Sequence, residues 1–166
     1  KLPRGLAGLS EDIHAMGLKF GLWIEPEMVS ENSELYRKHP DWCLQMPRRQ
    51  PSRGRYQLVL DLSREDVRNY IVASINGVLD SARIEYVKWD MNRFITDAWS
   101  AIVEKEKQGE IYHRYILGLY DIMNRIILTH PEILFCGCSG GGGRFDPGML
   151  YYQPQIWCSD NTDAVC

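Results

Sequence analysis

The chain has 166 residues, a formal net charge of −3, 45% hydrophobic and 25% charged residues, ordinary globular proportions that exclude a disordered, fibrous or membrane-spanning class. The mild acidity gives no electrostatic case for nucleic acid as a partner. No apolar run approaches the roughly 20 residues needed to cross a bilayer, and the opening KLPRGLAGLSED lacks the apolar segment of a secretory signal.

In chain order, Leu6, Leu9, Ile13 and Met16 recur at helical spacing, with Gly17 as the stop. KFGLWIEPE (19–27) then reads as a strand. After the irregular basic stretch MPRRQPSRGR comes a second strand, QLVLDL (57–62). Ser63 is the expected N-cap of a helix with Glu65 and Asp66 in its first turn and Val67, Ile71, Ile75, Val78 and Leu79 on its apolar face. IEYVKWD (84–90) is the next strand. A longer helix around 110–129 presents Ile111, Tyr115, Leu119, Ile122 and Ile126 and ends near His130-Pro131. ILFCGC (133–138) and QIWCSD (155–160) complete the strands. Strands separated by helices imply an α/β fold with a parallel sheet, either doubly wound or closed into a (β/α) barrel.

Glu25, Glu27, Asp90, the glycine run after Cys138, and Asp160 all fall at the carboxyl ends of these strands. Barrel enzymes carry their chemistry there, and so do doubly wound proteins at their switch point. The strands are too few for an eight-stranded barrel. The expectation is therefore an internal portion, residues 1–166, of one larger catalytic domain without an internal boundary.

Five cysteines, Cys43, Cys136, Cys138, Cys158 and Cys166, lack the spacing of a disulfide framework and read as buried thiols of a reducing, cytoplasmic compartment. CSGGGGR (138–144) lacks the lysine and Ser/Thr of a phosphate loop and registers no G-x-G-x-x-G. It is either a flexible turn or a place where a ligand lies against bare backbone and takes amide N–H groups. His14, His39, His113 and His130 are scattered and match no zinc pattern, so no metal and no organic cofactor are expected.

KWDMNR (88–93) is the densest polar segment. On an extended chain Lys88, Asp90 and Asn92 share one side while Trp89 and Met91 take the other. A lysine beside Asp90 would keep it ionised with a lowered pKa, as a nucleophile requires. Asp160 supplies a second carboxylate at a later strand end, with Asp163 as a rival. Two converging carboxylates are what glycosidic bond cleavage needs, although a pair of surface acids would give the same spacing.

Together, GLKFGLWIEPEMVS (17–30), LDLSR (60–64), KWDMNR (88–93), CSGGGGRFDPGMLYY (138–152) and WCSDNTDA (157–164) resemble, in order, the central part of the catalytic domain of glycoside hydrolase family 36, the bacterial and fungal type α-galactosidases. The resemblance implies a partial (β/α)8 TIM barrel of about four central βα units and a retaining exo-α-galactosidase acting on melibiose, raffinose and stachyose. By motif position it makes Asp90 the nucleophile and Asp160 the general acid/base. It places Trp23, Arg55, Lys88, Asn92, Cys138, Gly141 and Arg144 around the galactosyl unit, and Glu25 and Glu27 as acids that orient a lysine or arginine. The implied partners are a small carbohydrate and, at full length, further copies of the same chain. Cys136 stands where the family usually has Glu. Alternatives are an α-N-acetylgalactosaminidase or transglycosylating relative, a metal-dependent hydrolase, and a catalytically silent galactose-binding module.

Overall fold

A computed structural model describes residues 2–161 and 163. Helix α1 (Gly5–Ala15) leads to β1 (Gly21–Ile24), then to β2 (Met28–Val29), the short α2 (Glu34–Lys38) and β3 (Leu58–Val59). Next come α3 (Glu65–Leu79), β4 (Tyr86–Asp90), α4 (Ile111–Thr129), β5 (Leu134–Cys138), α5 (Pro147–Tyr152) and β6 (Gln155–Ile156). Four strands form one parallel sheet in the order β1-β4-β5-β6. The α/β class with a parallel sheet is as the sequence implies.

Parallel register sorts the side chains into two faces. Leu22, Val87 and Phe135 lie abreast, and Val87 and Phe135 are buried. Trp23, Lys88, Cys136 and Gln155 lie abreast on the opposite face, one step below Asp90 and Cys138. Strand alternation therefore sends Trp89 into the core and Asp90 to the other side. Trp89 is fully buried and Met91 nearly so.

Helices α3 and α4 pack against each other over the apolar face. Ile111, Tyr115, Leu119, Ile122 and Ile126 of α4 are all buried, as their spacing predicts. Each such aliphatic side chain contributes about 1.5–3 kcal/mol on burial. Close approach is built in at Gly118, where a Cβ would stand 2.0 Å from the Leu62 carbonyl oxygen.

Several local expectations are corrected. QLVLDL does not join the parallel sheet: only Leu58 and Val59 form a strand, antiparallel to Met28 and Val29. The Leu60 N–H is instead taken by the Glu27 carbonyl, 3.0 Å away. Ser63 does not cap α3, because the buried Asp61 captures both its N–H (3.0 Å) and its hydroxyl (2.5 Å). The helix starts one residue later, with Arg64 as an N-cap whose side chain makes no capping bond. Met16 (65% exposed) and Val78 (36%) lie outside the apolar faces assigned to them. QIWCSD contributes only Gln155 and Ile156 as strand. Cys43, Cys136 and Cys138 are buried free thiols, whereas Cys158 is free but exposed; Cys166 lies outside the described residues.

Candidate active site

The site is assembled where β1, β4 and β5 end. Asp90, the last residue of β4, is only 4% exposed. Its Oδ2 accepts the indole N–H of Trp23 at 3.0 Å. Its Oδ1 is buried and has no hydrogen-bond partner among the described residues. Burial opposes ionisation, but the Trp23 indole, the Asn92 amide, the Cys138 thiol and the Met91 N–H outweigh it and hold the carboxyl below the ordinary aspartate range.

This corrects the expected electrostatics: nearby donors stabilise the charge, and Lys88 makes no ion pair with Asp90 among the described residues. Lys88 instead places its Nζ 4.3 Å from the centre of the Trp157 ring, a cation–π contact. The Trp157 indole N–H in turn donates to Asp160 Oδ1 at 2.7 Å. Asp160 is exposed, on the segment that follows β6. Both candidate carboxylates are thus held by an indole N–H, and Lys88 spans from the β4 row to the second indole. Trp157 is a site residue the strand-end reading missed; its position in WCSDNTDA, three residues before Asp160, is the signal that could have found it.

The two glutamates divide the remaining cations. Glu25 Oε1 accepts from Asn92 Nδ2 at 2.8 Å and from Arg55 Nη1 at 3.3 Å. Arg55 is exposed and has a positive φ of 53°. Glu27 is completely buried and takes Trp89 Nε1 (2.8 Å), the Tyr115 hydroxyl (2.6 Å) and Arg144 Nη1 (2.9 Å). Burial, then the Glu27 carboxylate, push the Tyr115 phenol well above its ordinary value. Burial opposes the Arg144 charge, but Glu27 outweighs it and raises the pKa. Both glutamates therefore orient cations, in keeping with their expected part. Trp89 and Tyr115, unremarked as partners in the sequence, are legible only as core aromatics there.

The glycine run folds onto the chain itself. Gly140 N–H donates to Asn92 Oδ1 (3.0 Å) and Gly142 N–H to the Cys158 carbonyl (3.0 Å). Gly141 has φ +86°, and a Cβ there would come within 2.9 Å of the Cys158 carbonyl oxygen. These two amides and the bare Cα of Gly141 serve loop packing. The Cys138 thiol, beside Asp90, has its pKa raised mainly by burial. Cys136, in the place of the expected Glu, lies abreast of Lys88. With burial the larger cause, it helps push the phenol of Tyr86 up to about 12.

Of the predicted residues, the structure links Trp23, Asn92 and Cys138 to Asp90, links Lys88 to Asp160 through Trp157, and ties Arg55 to Asn92 through Glu25. Arg144 is joined to Glu27, and Gly141 packs on the segment leading to Asp160. The Asp163 N–H donates to Asn161 Oδ1 at 3.0 Å. Among the described residues no cluster of three or more His, Cys, Asp or Glu is placed to hold a metal, and no helix is long and apolar enough to cross a membrane.

Two aspartates, each held by an indole N–H, together with a lysine on a parallel α/β sheet, are residue types that a glycoside hydrolase uses. The chain belongs to the Melibiase family, whose sequence model matches residues 1–166. It is 64% identical over 165 residues to alpha-galactosidase AgaA of Geobacillus stearothermophilus, covering 99% of this chain and 23% of AgaA. It is 52% identical to alpha-galactosidase Mel36A of Lactobacillus acidophilus, covering 99% of this chain and 22% of that protein. The crystal structure of AgaA, a GH36 alpha-galactosidase, superposes with a TM-score of 0.97 over 99% of this chain and 23% of its own. Variants of AgaA have been crystallised in complex with raffinose and with stachyose. The chain thus spans less than a quarter of the length of these relatives.

Proposed function

We propose that residues 1–166 are the central portion of a single (β/α)8 catalytic domain of a retaining exo-α-galactosidase. The full-length protein releases terminal α-D-galactosyl residues from oligosaccharides such as melibiose, raffinose and stachyose. The observation that carries this reading is the pair of indole-anchored aspartates, Asp90 at the end of β4 held by Trp23 and Asp160 on the segment after β6 held by Trp157, with β5 between the two strands. The raffinose and stachyose held in complex by the AgaA variants support the substrate class.

Asp90 attacks the anomeric carbon. Its depressed pKa keeps it ionised, and its Oδ1 makes no hydrogen bond among the described residues. Asp160 protonates the departing glycosidic oxygen and then, as a base, activates the water that hydrolyses the galactosyl-enzyme. This double displacement calls for carboxyl groups roughly 5–5.5 Å apart. Trp23 offers a ring to the pyranose face while orienting Asp90. Lys88, Asn92 and Arg55 donate to sugar hydroxyls, and Cys138, Gly141 and Arg144 form the wall beside C2. No metal or organic cofactor takes part in these steps. The reading extends to a homo-oligomer in a reducing, cytoplasmic compartment, in keeping with the four free thiols among the described residues.

The test is the full-length protein carrying Asp90→Gly. It loses α-galactoside turnover, and azide restores part of it by forming β-galactosyl azide in the space left by the carboxylate. Turnover at the wild-type rate in this variant overturns the nucleophile assignment.

A further inference from the structure

A cavity of about 250 Å³ lies between the loop that follows β4 and the first turns of α4. Its walls include Met91, Phe94, Tyr112 and Ile116, with Arg93 and Arg144 as the two cations. Phe94 is 86% and Tyr112 54% exposed, so two aromatic rings stand open to an occupant.

The polar groups here are short of acceptors. Arg93 Nε, Arg144 Nε and Arg144 Nη2 are all buried without a hydrogen-bond partner among the described residues. Buried donors are nearly always paired, and three unpaired ones on two residues of one cavity call for an acceptor. Arg144 has one carboxylate, Glu27, on Nη1 alone. Among the described residues Arg93 has only neutral acceptors: the carbonyls of Phe94 and Ser52 and the Thr96 hydroxyl. Asp97, the carboxylate that acts on Arg93 from a distance, is engaged by the N–H and hydroxyl of Ser52. Burial lowers the Arg93 pKa, as it does for a cation lacking counter-charge.

We propose that this cavity binds a small one-ring carboxylate, at a site that adjoins the galactoside cleft across Arg144 without overlapping the sugar. The carboxylate accepts from the free N–H groups of Arg93 and Arg144, a charge-assisted arrangement suited to planar guanidinium groups. The ring lies among Met91, Phe94 and Tyr112. The volume is below the roughly 300–1,000 Å³ of sites for drug-sized ligands, which limits the body to about one ring. The inference stands on this cavity and does not depend on the galactosidase reading.

The experiment uses the full-length protein with benzoate as the probe, benzamide as its neutral analogue, and galactose as competitor, followed by calorimetry. Benzoate binds saturably, one per chain, benzamide binds about tenfold more weakly or worse, and galactose does not displace benzoate. Arg93→Gln weakens benzoate by about tenfold and leaves turnover without benzoate unchanged. Phe94→Ala, at an exposed position that the fold tolerates, weakens benzoate about threefold. The proposal is overturned if saturable binding is absent, as it is when an acidic side chain from the rest of the protein already fills the cavity. It is equally overturned if benzamide binds as well, if galactose displaces benzoate, or if Phe94→Ala leaves the affinity unaltered.

Discussion

Glu27 and Asp90 are both buried carboxylates near the ends of neighbouring strands, and they are provisioned in opposite ways. Glu27 has both oxygens engaged, by Trp89, Tyr115 and Arg144. Asp90 has one oxygen fixed by Trp23 and the other without a hydrogen-bond partner among the described residues. A carboxylate saturated by donors is a structural anion: it holds an arginine and two core aromatics, and its lone pairs are spent. One that is oriented but incompletely satisfied is ready for an electrophile. Burial and strand-end position are shared by the two acids, so neither property tells them apart; the distribution of donors does.

The contrast can be broken from either side. In the full-length protein, Asp90→Asn lowers turnover by about 10⁴-fold or more, while thermal unfolding changes little because the amide oxygen still accepts from Trp23. Glu27→Gln does the reverse: it leaves the Arg144 cation without its buried carboxylate and costs about 3–5 kcal/mol of stability, read from denaturant unfolding. Removing the Trp157 N–H with Trp157→Phe frees Asp160 while retaining a ring for Lys88. This lowers kcat about tenfold with stability nearly intact, as steady-state kinetics on a nitrophenyl galactoside and on raffinose would register.

The smallest effect is a shift in pH. Because the folded-state pKa of Asp90 is depressed, its ionised form contributes stability that is present above the unfolded value of about 3.9 and is lost as pH falls through the folded value. The acid limb governed by this group in kcat/KM accordingly lies below the ordinary aspartate range. Trp23→Phe removes an N–H that stabilises the anion, so this limb moves to higher pH. A pH profile that stays in place shows that Trp23 does not set the charge of Asp90.

Much of this arrangement was legible in the sequence, for identifiable reasons. Period-3.6 spacing marked the buried face of α4, and period-2 alternation separated Asp90 from Trp89 and Met91. The order of long motifs carried the family. What failed depended on contacts between distant segments. Asp61 takes Ser63 from its capping position, and Glu27 diverts the backbone of Leu60, so neither the α3 start nor the second strand follows local pattern. Lys88 was expected to pair with Asp90, two residues away on the same face, but a tryptophan from across the sheet supplied another partner. Trp157 was missed because attention to titratable groups passes over an indole, whose single N–H here orients an acid. The partners of Glu27 come from β4, α4 and the glycine loop, a convergence that no spacing within one segment reports.

Trapping the covalent intermediate tests the central claim most directly. The full-length protein is treated with a fluorinated α-galactoside that forms the glycosyl-enzyme faster than it is hydrolysed, and the digested protein is mapped by mass spectrometry. The account predicts one fluorogalactosyl group per chain, on the carboxylate of Asp90. A label on Glu25 or Glu27, or inactivation with no covalent sugar at all, would contradict it.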